Sequence, residues 1–147
     1  MKKIITICLM TLLMTGCNDL AVKIRAKIVS DKDLNPNIRR RSAPVELRIY
    51  HLRDEKNFNR ARYFELLRND KKTLGSDLIR KESMVIRPGQ TIPYRTDADQ
   101  NTKYLAVFAA YRLRIGYRWK AIKRTSAFKF EYVTITLKRN SVSIENK

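Results

Sequence analysis

The sequence predicts a mainly β protein, an antiparallel β-sandwich with a short helical insertion after the second strand. Three observations lead to this prediction. Several short segments alternate apolar and polar residues, as strands with one buried face do. One segment is continuously apolar, and another changes to the three-to-four spacing of an amphipathic helix. Short strands at near-regular spacing, without an internal repeat, are typical of a single sandwich domain.

The first two strands follow from strict alternation. Residues 22–28 read Val-Lys-Ile-Arg-Ala-Lys-Ile, so apolar side chains share one face and basic side chains share the other. Residues 45–49 alternate in the same way. Residues 31–43 between them are polar and have no apolar period, so we expect a loop that joins the two strands.

The next segment predicts a helix over residues 58–68. Its apolar residues recur at three-to-four spacing, namely Phe58, Ala61, Phe64 and Leu67. Asn57 is expected to cap the first turn, because its side chain can accept a backbone N–H. Leu74-Gly75 is expected to end the helical region, and residues 76–80 suit a further short helical turn.

The chain then returns to strands. Residues 82–86 lead into Arg87-Pro88-Gly89-Gln90, where proline and glycine suit the second and third positions of a type II turn. Residues 104–111 are continuously apolar, which predicts a central strand covered on both faces. Residues 128–137 alternate again, and residues 141–144 form the expected last strand.

The N-terminus has the layout of a bacterial secretory signal. Lys2-Lys3 precedes an apolar core over residues 4–14, and Thr15-Gly16-Cys17 follows. A membrane-spanning helix needs about 20 apolar residues, and this core is about half that length. Cys17 stands where the lipobox of bacterial lipoproteins has its cysteine, directly after the cut. We therefore predict that Cys17 is lipidated.

These observations divide the chain into three parts. We expect a lipoprotein signal peptide over residues 1–16, a lipidated tether over residues 17–21 and a β-sandwich domain over residues 22–147. Two alternatives stay open, namely an uncleaved helical anchor and ordinary cleavage that leaves Cys17 as a free thiol. Asn18, rather than aspartate, follows the cysteine, so the expected destination is the outer membrane, on its periplasmic face.

Composition excludes some stabilising devices and partners. Cys8 leaves with the signal, so the mature chain has no cysteine pair for a disulfide and depends on burial for stability. The formal net charge is +18, which favours anionic partners such as lipopolysaccharide, phospholipid, peptidoglycan or an acidic protein face. An export signal argues against nucleic acid as the partner, although basic domains often bind it.

The sequence contains no recognisable catalytic pattern. GxSxG, HExxH, CxxC and P-loop motifs do not occur. His51 is the one histidine, and we expect a surface or rim residue rather than a metal ligand or general base. Trp119 and the tyrosines are expected to fill the core or its edge. We therefore expect no enzyme activity, no metal, no small-molecule substrate and no cofactor other than the covalent lipid at Cys17.

The loop over residues 31–43 is the predicted contact surface. A loop between two strands is presented by a rigid scaffold. Asn35-Pro36 restricts its conformation and so lowers the entropy cost of ordering it in a complex. The alternative, a plain connector between the strands, stays open.

Taken in order, these segments resemble a known family, the outer-membrane lipoprotein TssJ (VasD/SciN) of the type VI secretion system. The resemblance covers nearly the whole mature chain behind the lipobox. It rests on Ser42-Ala43-Pro44-Val45, Arg48-Ile49-Tyr50, Leu52, Phe58, Ala61, Phe64, Leu66-Leu67, Leu74-Gly75, Asp77-Leu78, Arg87-Pro88-Gly89-Gln90, Leu105-Ala106-Val107, Ala109-Ala110-Tyr111-Arg112 and Trp119-Lys120.

The resemblance implies a transthyretin-like sandwich with a structural role. The family anchors the trans-envelope complex to the outer membrane by holding the periplasmic C-terminal domain of TssM. In the family the loop between the first two strands makes much of that contact, which implies a partner site centred on Asp33, Leu34, Asn35, Pro36 and Asn37 here. The alternative is a generic basic envelope lipoprotein that binds lipopolysaccharide or peptidoglycan. Hydroxyisourate hydrolases share the fold but depend on several histidines, whereas this chain has one, so we do not expect this activity.

Overall fold

The computed structural model describes residues 21–112, 116–126 and 130–147, and within these ranges it has eight strands and two α-helices. The elements in chain order are β1 (Val22–Ser30), β2 (Val45–Leu52), α1 (Lys56–Arg60), α2 (Tyr63–Leu74), a 3-10 turn (Gly75–Asp77), β3 (Leu78–Ile86), β4 (Thr91–Ala98), β5 (Tyr104–Ala109), β6 (Lys120–Arg124), β7 (Phe130–Leu137) and β8 (Val142–Asn146).

The strands form two four-stranded sheets, which confirms the predicted sandwich. The first sheet has the order β4-β1-β7-β8 and the second has the order β3-β2-β5-β6. All named pairs are antiparallel except β1 with β7, which run parallel; the sequence left the pairing of individual strands open. Parallel pairing places the start of β7 beside the start of β1, with Lys23 opposite Phe130.

The main core lies between the two sheets. β1 buries the apolar set that its alternation predicted, and β7 does the same from the neighbouring position. β5 is an inner strand and almost fully buried, as its continuous apolar run predicted. The buried residues at this layer include Ile24, Ile28, Leu47, Ile49, Leu105, Val107, Val133, Ile135 and Leu137.

A second core lies between the helices and the outer face of the β3-β2-β5-β6 sheet. It contains Tyr50, Leu52, Phe58, Ala61, Leu66, Leu74, Ala106 and Phe108. Trp119 packs against both cores and makes an edge contact with Phe108, with ring centroids 5.9 Å apart, so its prediction as a core-edge residue is confirmed. The helical insertion therefore adds a third layer to the sandwich.

The insertion is two helices rather than the single helix predicted over residues 58–68. Ala61 has extended backbone (φ −61°, ψ 134°) and ends α1. α2 begins at Tyr63, and Glu65 caps its first turn, because the Glu65 carboxylate accepts the backbone N–H of Arg62 at 2.8 Å. Lys120 fixes the break by donating to the carbonyl oxygens of Phe58, Asn59 and Ala61, each at 2.9 Å.

Of two further expectations about this region, the cap is wrong and the short helical turn is present with different bounds. Asn57 lies inside α1 and does not cap it. Its side chain instead donates to the carbonyl oxygen of Leu74 at 3.2 Å, which ties α1 to the end of α2. The further short helical turn expected over residues 76–80 is a 3-10 turn over Gly75–Asp77, and β3 already begins at Leu78. Gly75, with φ +54°, ends the helical region as expected.

A buried ionic network holds α2 against the sheet. The carboxylate of Asp70 accepts hydrogen bonds from Arg48 at 3.2 Å, from Lys81 at 2.9 Å and from the Tyr50 hydroxyl at 3.1 Å. The Asp70 side chain is 8% exposed. Burial opposes its charge, but the bonds from Lys81 and Tyr50 outweigh this and lower the pKa of Asp70. The charge is therefore compensated on the sheet side.

The described residues from 22 onward contain two apolar cores. Both apolar clusters draw their members from residues 22–144. The named strand pairs likewise lie within residues 22–146. Since burial and ladder bonds are satisfied inside this range, we expect it to fold without the preceding residues.

Candidate functional site: a loop and a tether at opposite ends of β1

β1 joins the two regions that the sequence singled out. Its first residue, Val22, follows the predicted tether, and its last residue, Ser30, leads into the loop over residues 31–43. A strand of nine residues at about 3.3 Å per residue separates its two ends by roughly 26 Å. Tether and loop therefore leave the sandwich at opposite ends, called here the tether end and the loop end.

The lipidation site itself, Cys17, lies outside the described residues. From Cys17 to Ala21 the chain can extend by at most about 17 Å. Any lipid on Cys17 must therefore stay close to the tether end of the sandwich. Among the helices that the structure describes, none is both long enough and apolar enough to cross a membrane.

The centre of the loop is buried, although we predicted it as the contact surface. Leu34 is 0% exposed and belongs to the main core. Asn35 is 2% exposed and has left-handed backbone, with φ +48°. Its amide donates to the carbonyl oxygen of Pro44 at 2.8 Å and accepts from the backbone N–H of Arg112 at 2.9 Å. Pro36 is buried as well.

The tip of the loop, defined here as residues 37–42, is exposed from Ile38 onward. Ile38 is 88% exposed, which is unusual for a large apolar side chain, and Arg39-Arg40-Arg41 follows it. The carboxamide oxygen of Asn37 accepts the backbone N–H groups of Arg39 and Arg41, each at 2.9 Å. The tip is thus a closed turn that presents one apolar side chain beside three cations.

The five predicted contact residues therefore divide into two groups. Leu34, Asn35 and Pro36 face inward and anchor the loop in this structure, whereas the other two predicted residues lie nearer to solvent. Asp33 is exposed and pairs with Arg139 at 3.4 Å, while Asn37 is half-buried and closes the tip. Composition alone did not single out Ile38. The signal that could have found it is an apolar residue inside a polar, arginine-rich run.

The backbone around the tip is held on both sides. The backbone N–H of Ala43 donates to the carbonyl oxygen of Leu34 at 3.0 Å, and that of Asn35 donates to the carbonyl oxygen of Arg139 at 3.2 Å. The N–H of Gly89 donates to the carbonyl oxygen of Asp31 at 3.0 Å. A loop fixed in this way loses little entropy when a partner binds its tip.

His51 is buried, so its prediction as a surface or rim residue is wrong. It is 0% exposed and lies between the sheets, with Nε2 3.4 Å from the Tyr94 hydroxyl. Burial lowers the pKa of His51 to about 4, although Glu82 opposes the shift. A neutral, enclosed imidazole is part of the core and does not face any substrate.

The described residues offer binding chemistry rather than a metal centre. Within residues 21–112, 116–126 and 130–147, no three His, Cys, Asp or Glu side chains come close enough together to hold a metal ion. The charged groups that are brought together, such as Asp70 with Lys81 or Glu131 with Lys123, are paired inside the fold. The loop tip and the surface at the tether end remain as places for partners.

Comparison with known families gives one match over most of the chain. Residues 22–140 match the family described as type VI secretion lipoprotein, VasD, EvfM, TssJ. No curated protein sequence matches the chain significantly.

Solved structures of related proteins share the fold. The type VI secretion lipoprotein TssJ1 from Pseudomonas aeruginosa is 28% identical, with a TM-score of 0.83, and the match covers 86% of this chain and 97% of that chain. Lip from Serratia marcescens, a membrane-bound component of the type VI secretion system, is 18% identical, with a TM-score of 0.80 and coverage of 88% and 100%.

A third match comes from the structure described as the T6SS protein TssM C-terminal domain (869–1107) from EAEC. It has 18% identity, a TM-score of 0.70 and coverage of 85% of this chain and 98% of that chain. At this identity, as with Lip, the likeness concerns the fold alone.

Proposed function

Because the chain belongs to the type VI secretion lipoprotein family of VasD, EvfM and TssJ, we propose that it anchors the secretion complex to the outer membrane. Its lipidated Cys17 holds the membrane on the periplasmic face, and its loop tip holds the periplasmic C-terminal domain of TssM. The observation that carries this proposal is the position of tether and loop at opposite ends of β1. One domain can then contact a membrane and a protein without either blocking the other.

The membrane half of the function depends on covalent lipid. A single acyl chain binds a bilayer only marginally, and stable anchoring needs more than one chain or an additional contact. The +18 charge of the chain supports a location beside anionic lipid rather than free in solution. Residues 17–21 serve as the tether, and residues 22–147 form the domain that it carries.

The protein half depends on the tip rather than on the loop centre. Ile38 suits a small apolar pocket on the partner, and Arg39, Arg40 and Arg41 suit an acidic rim around that pocket. Leu34 and Asn35 hold the tip in place, Leu34 by packing in the core and Asn35 by donating a hydrogen bond to the Pro44 carbonyl oxygen. This assignment explains why a loop rich in polar residues has an inward-facing centre.

Titration calorimetry with the purified TssM C-terminal domain tests the tip. Burial of an isoleucine side chain contributes about 1.5–3 kcal/mol, so Ile38→Ser should raise the Kd by about tenfold or more. Val85→Ser is the matched control, because Val85 is 60% exposed on the helical side of the sandwich. Equal affinities for Ile38→Ser and the unsubstituted protein would exclude the tip as the contact surface.

Replacement of residues 33–37 by glycine and serine would not test the same point. Such a change removes Leu34 from the core, so a loss of binding would report unfolding. Single substitutions at exposed tip positions avoid this problem. Arg40 has φ +60°, so Arg40→Asn is the suitable charge-removing variant there, since asparagine tolerates that backbone.

The anchor is tested by Cys17→Ser in a chain whose signal is still cleaved. The domain should keep its affinity for TssM, while secretion through the apparatus should fail. Secretion at the normal level would mean that the lipid is not part of the function. Salt-dependent sedimentation with purified cell wall, without any TssM binding, would favour the generic envelope lipoprotein instead.

A further inference from the structure

Two aromatic side chains lie exposed on the outer face of the β4-β1-β7-β8 sheet. Phe130 is 46% exposed and Tyr132 is 52% exposed, both at the start of β7. Their rings stack with centroids 6.3 Å apart and an interplanar angle of 21°. Inward-facing residues of β7 complete the core, so these two rings are not needed to fill it.

A row of cations lies beside the aromatic pair. Lys23, opposite Phe130, and Arg25, opposite Tyr132, are exposed on β1. On the other side of β1, Arg95 of β4 lies directly opposite Arg25, and one exposed carboxylate, that of Asp97, lies opposite Lys23. We call the two aromatic residues and the three cations Lys23, Arg25 and Arg95 the tether-end face.

The arrangement is costly for an isolated domain. Like charges directly opposite each other on neighbouring strands destabilise a sheet, which applies to Arg25 and Arg95. Exposed aromatic rings also lose the benefit of burial. An anionic surface with an apolar layer beneath it would relieve both costs at once.

The position of the face identifies its occupant. Val22 adjoins Lys23, so the tether that leads to Cys17 leaves the sandwich at the edge of this face. Aromatic rings favour the boundary between headgroups and acyl chains, and basic side chains favour anionic headgroups. An open cleft of about 720 Å³ at the same end adds two further cations, Lys103 and Arg124.

We propose that the tether-end face docks on the anionic phospholipid surface of the membrane that the lipid anchors. This inference rests on the proposed function, because the lipid on Cys17 brings the face to the bilayer. Docking limits the rotation of the domain about its short tether. The loop end of β1 then lies roughly 26 Å along the strand from the docked residues.

Vesicle co-sedimentation tests the proposal without the acyl chains. The probe is lipid-free protein of residues 21–147, which contains both cores, with vesicles of phosphatidylcholine alone or with added phosphatidylglycerol. Binding to the mixed vesicles should weaken by about tenfold in Phe130→Ser/Tyr132→Ser. The matched control is Phe64→Ser/Val85→Ser, which removes two exposed apolar side chains from the helical side. It should change binding by less than about twofold.

The basic part of the face has its own pair of variants. Arg25→Gln/Arg95→Gln should reduce the preference for phosphatidylglycerol more than Lys71→Gln/Lys72→Gln, which removes the same charge from α2. Equal losses in the two variants would show that overall charge explains the binding and would overturn the proposal. Unchanged binding in Phe130→Ser/Tyr132→Ser would overturn it too.

Two further measurements separate this proposal from others. Sedimentation velocity of the same protein should show a monomer, and a dimer that Phe130→Ser/Tyr132→Ser disrupts would instead assign the face to a second copy of the chain. Affinity for the TssM domain should be unaffected by Phe130→Ser/Tyr132→Ser. Failure of TssM binding in the unsubstituted protein would overturn the proposed function and leave the vesicle result standing.

Discussion

Lowering the pH from 7 to 5 should destabilise the domain through His51. The ring is fully buried, and its Nε2 lies 3.4 Å from the hydroxyl of Tyr94. That hydroxyl donates to Glu82 at 3.0 Å, so Nε2 must donate to the Tyr94 oxygen. Nδ1 is buried and has no hydrogen-bond partner among the described residues. A second proton would therefore add a buried charge and an N–H without an acceptor.

The magnitude follows from the difference between the folded and unfolded pKa values. The pKa of His51 is about 4 in the folded domain, compared with 6.5 in the unfolded chain. Between these two pKa values the unfolded chain binds more protons than the folded domain. The contribution of neutral His51 to the free energy of unfolding is therefore fully present above pH 6.5 and is lost as the pH decreases towards 4. The shift corresponds to about 3 kcal/mol in total, of which about 2 kcal/mol is lost between pH 7 and pH 5.

Urea denaturation at pH 7 and at pH 5 measures this loss, with His51→Gln as the control. Glutamine does not titrate, so the variant should lose much less stability over the same interval, whatever its stability at pH 7. Asp70 and Glu131 do not interfere, because their pKa values are lowered from 3.8 and 4.5. The reasoning is refuted if His51→Gln loses as much stability as the unsubstituted protein.

Three further substitutions should change the free energy of unfolding, measured by urea denaturation at pH 7. Asp70→Asn should cost about 3 kcal/mol, because Arg48 and Lys81 would lose a buried partner; a cost under about 1 kcal/mol would contradict a compensating role. Leu34→Ala should lower the free energy of unfolding by about 3 kcal/mol, because Leu34 belongs to the core. An unchanged free energy would contradict its burial. Gly89→Ala should cost about 1 kcal/mol because Gly89 has a φ of +71°, and a stabilising effect would contradict this left-handed backbone.

Strand positions could be predicted wherever one face of the strand is buried. β1 buries Ile24, Ala26 and Ile28 and exposes Lys23, Arg25 and Lys27, so its sequence carries the full period. β6 was not predicted, because each of its first four residues is half-buried and shows no alternation. β4 was missed for a different reason, since its buried positions are Tyr94 and Ala98 among polar neighbours. Edge strands carry weaker patterns than inner strands.

The pairing of strands could not be predicted from local pattern. β1 and β7 are separated by about a hundred residues, and either direction of β7 would satisfy its own alternation. The parallel arrangement nevertheless decides where Phe130 and Tyr132 lie. In an antiparallel arrangement, the start of β7 would lie at the loop end, away from the tether. The tether-end face is thus formed only when β1, β4 and β7 pair, and none of these strands shows it in its own sequence.

The loop shows why polar composition did not identify the contact surface. Asn35 is polar, yet two backbone groups use its amide, and its left-handed backbone turns the chain inward. The polar side chain here forms hydrogen bonds with buried backbone groups rather than with water. Exposure in this loop is therefore decided by which backbone groups need partners, and these groups belong to residues that are distant in sequence, such as Arg112 and Arg139.

The position of β1 also suits it to carry force. In the proposed function, the membrane holds the chain before Val22, and the partner holds the tip after Ser30, so tension runs along β1. This strand is paired on both sides, with β4 over eight residue pairs and with β7 over eight. Sliding β1 along its axis would break both ladders together and would pull Ile24 and Ile28 from the core. An edge strand in the same position would be held by one ladder only, so fewer hydrogen bonds would resist the same force.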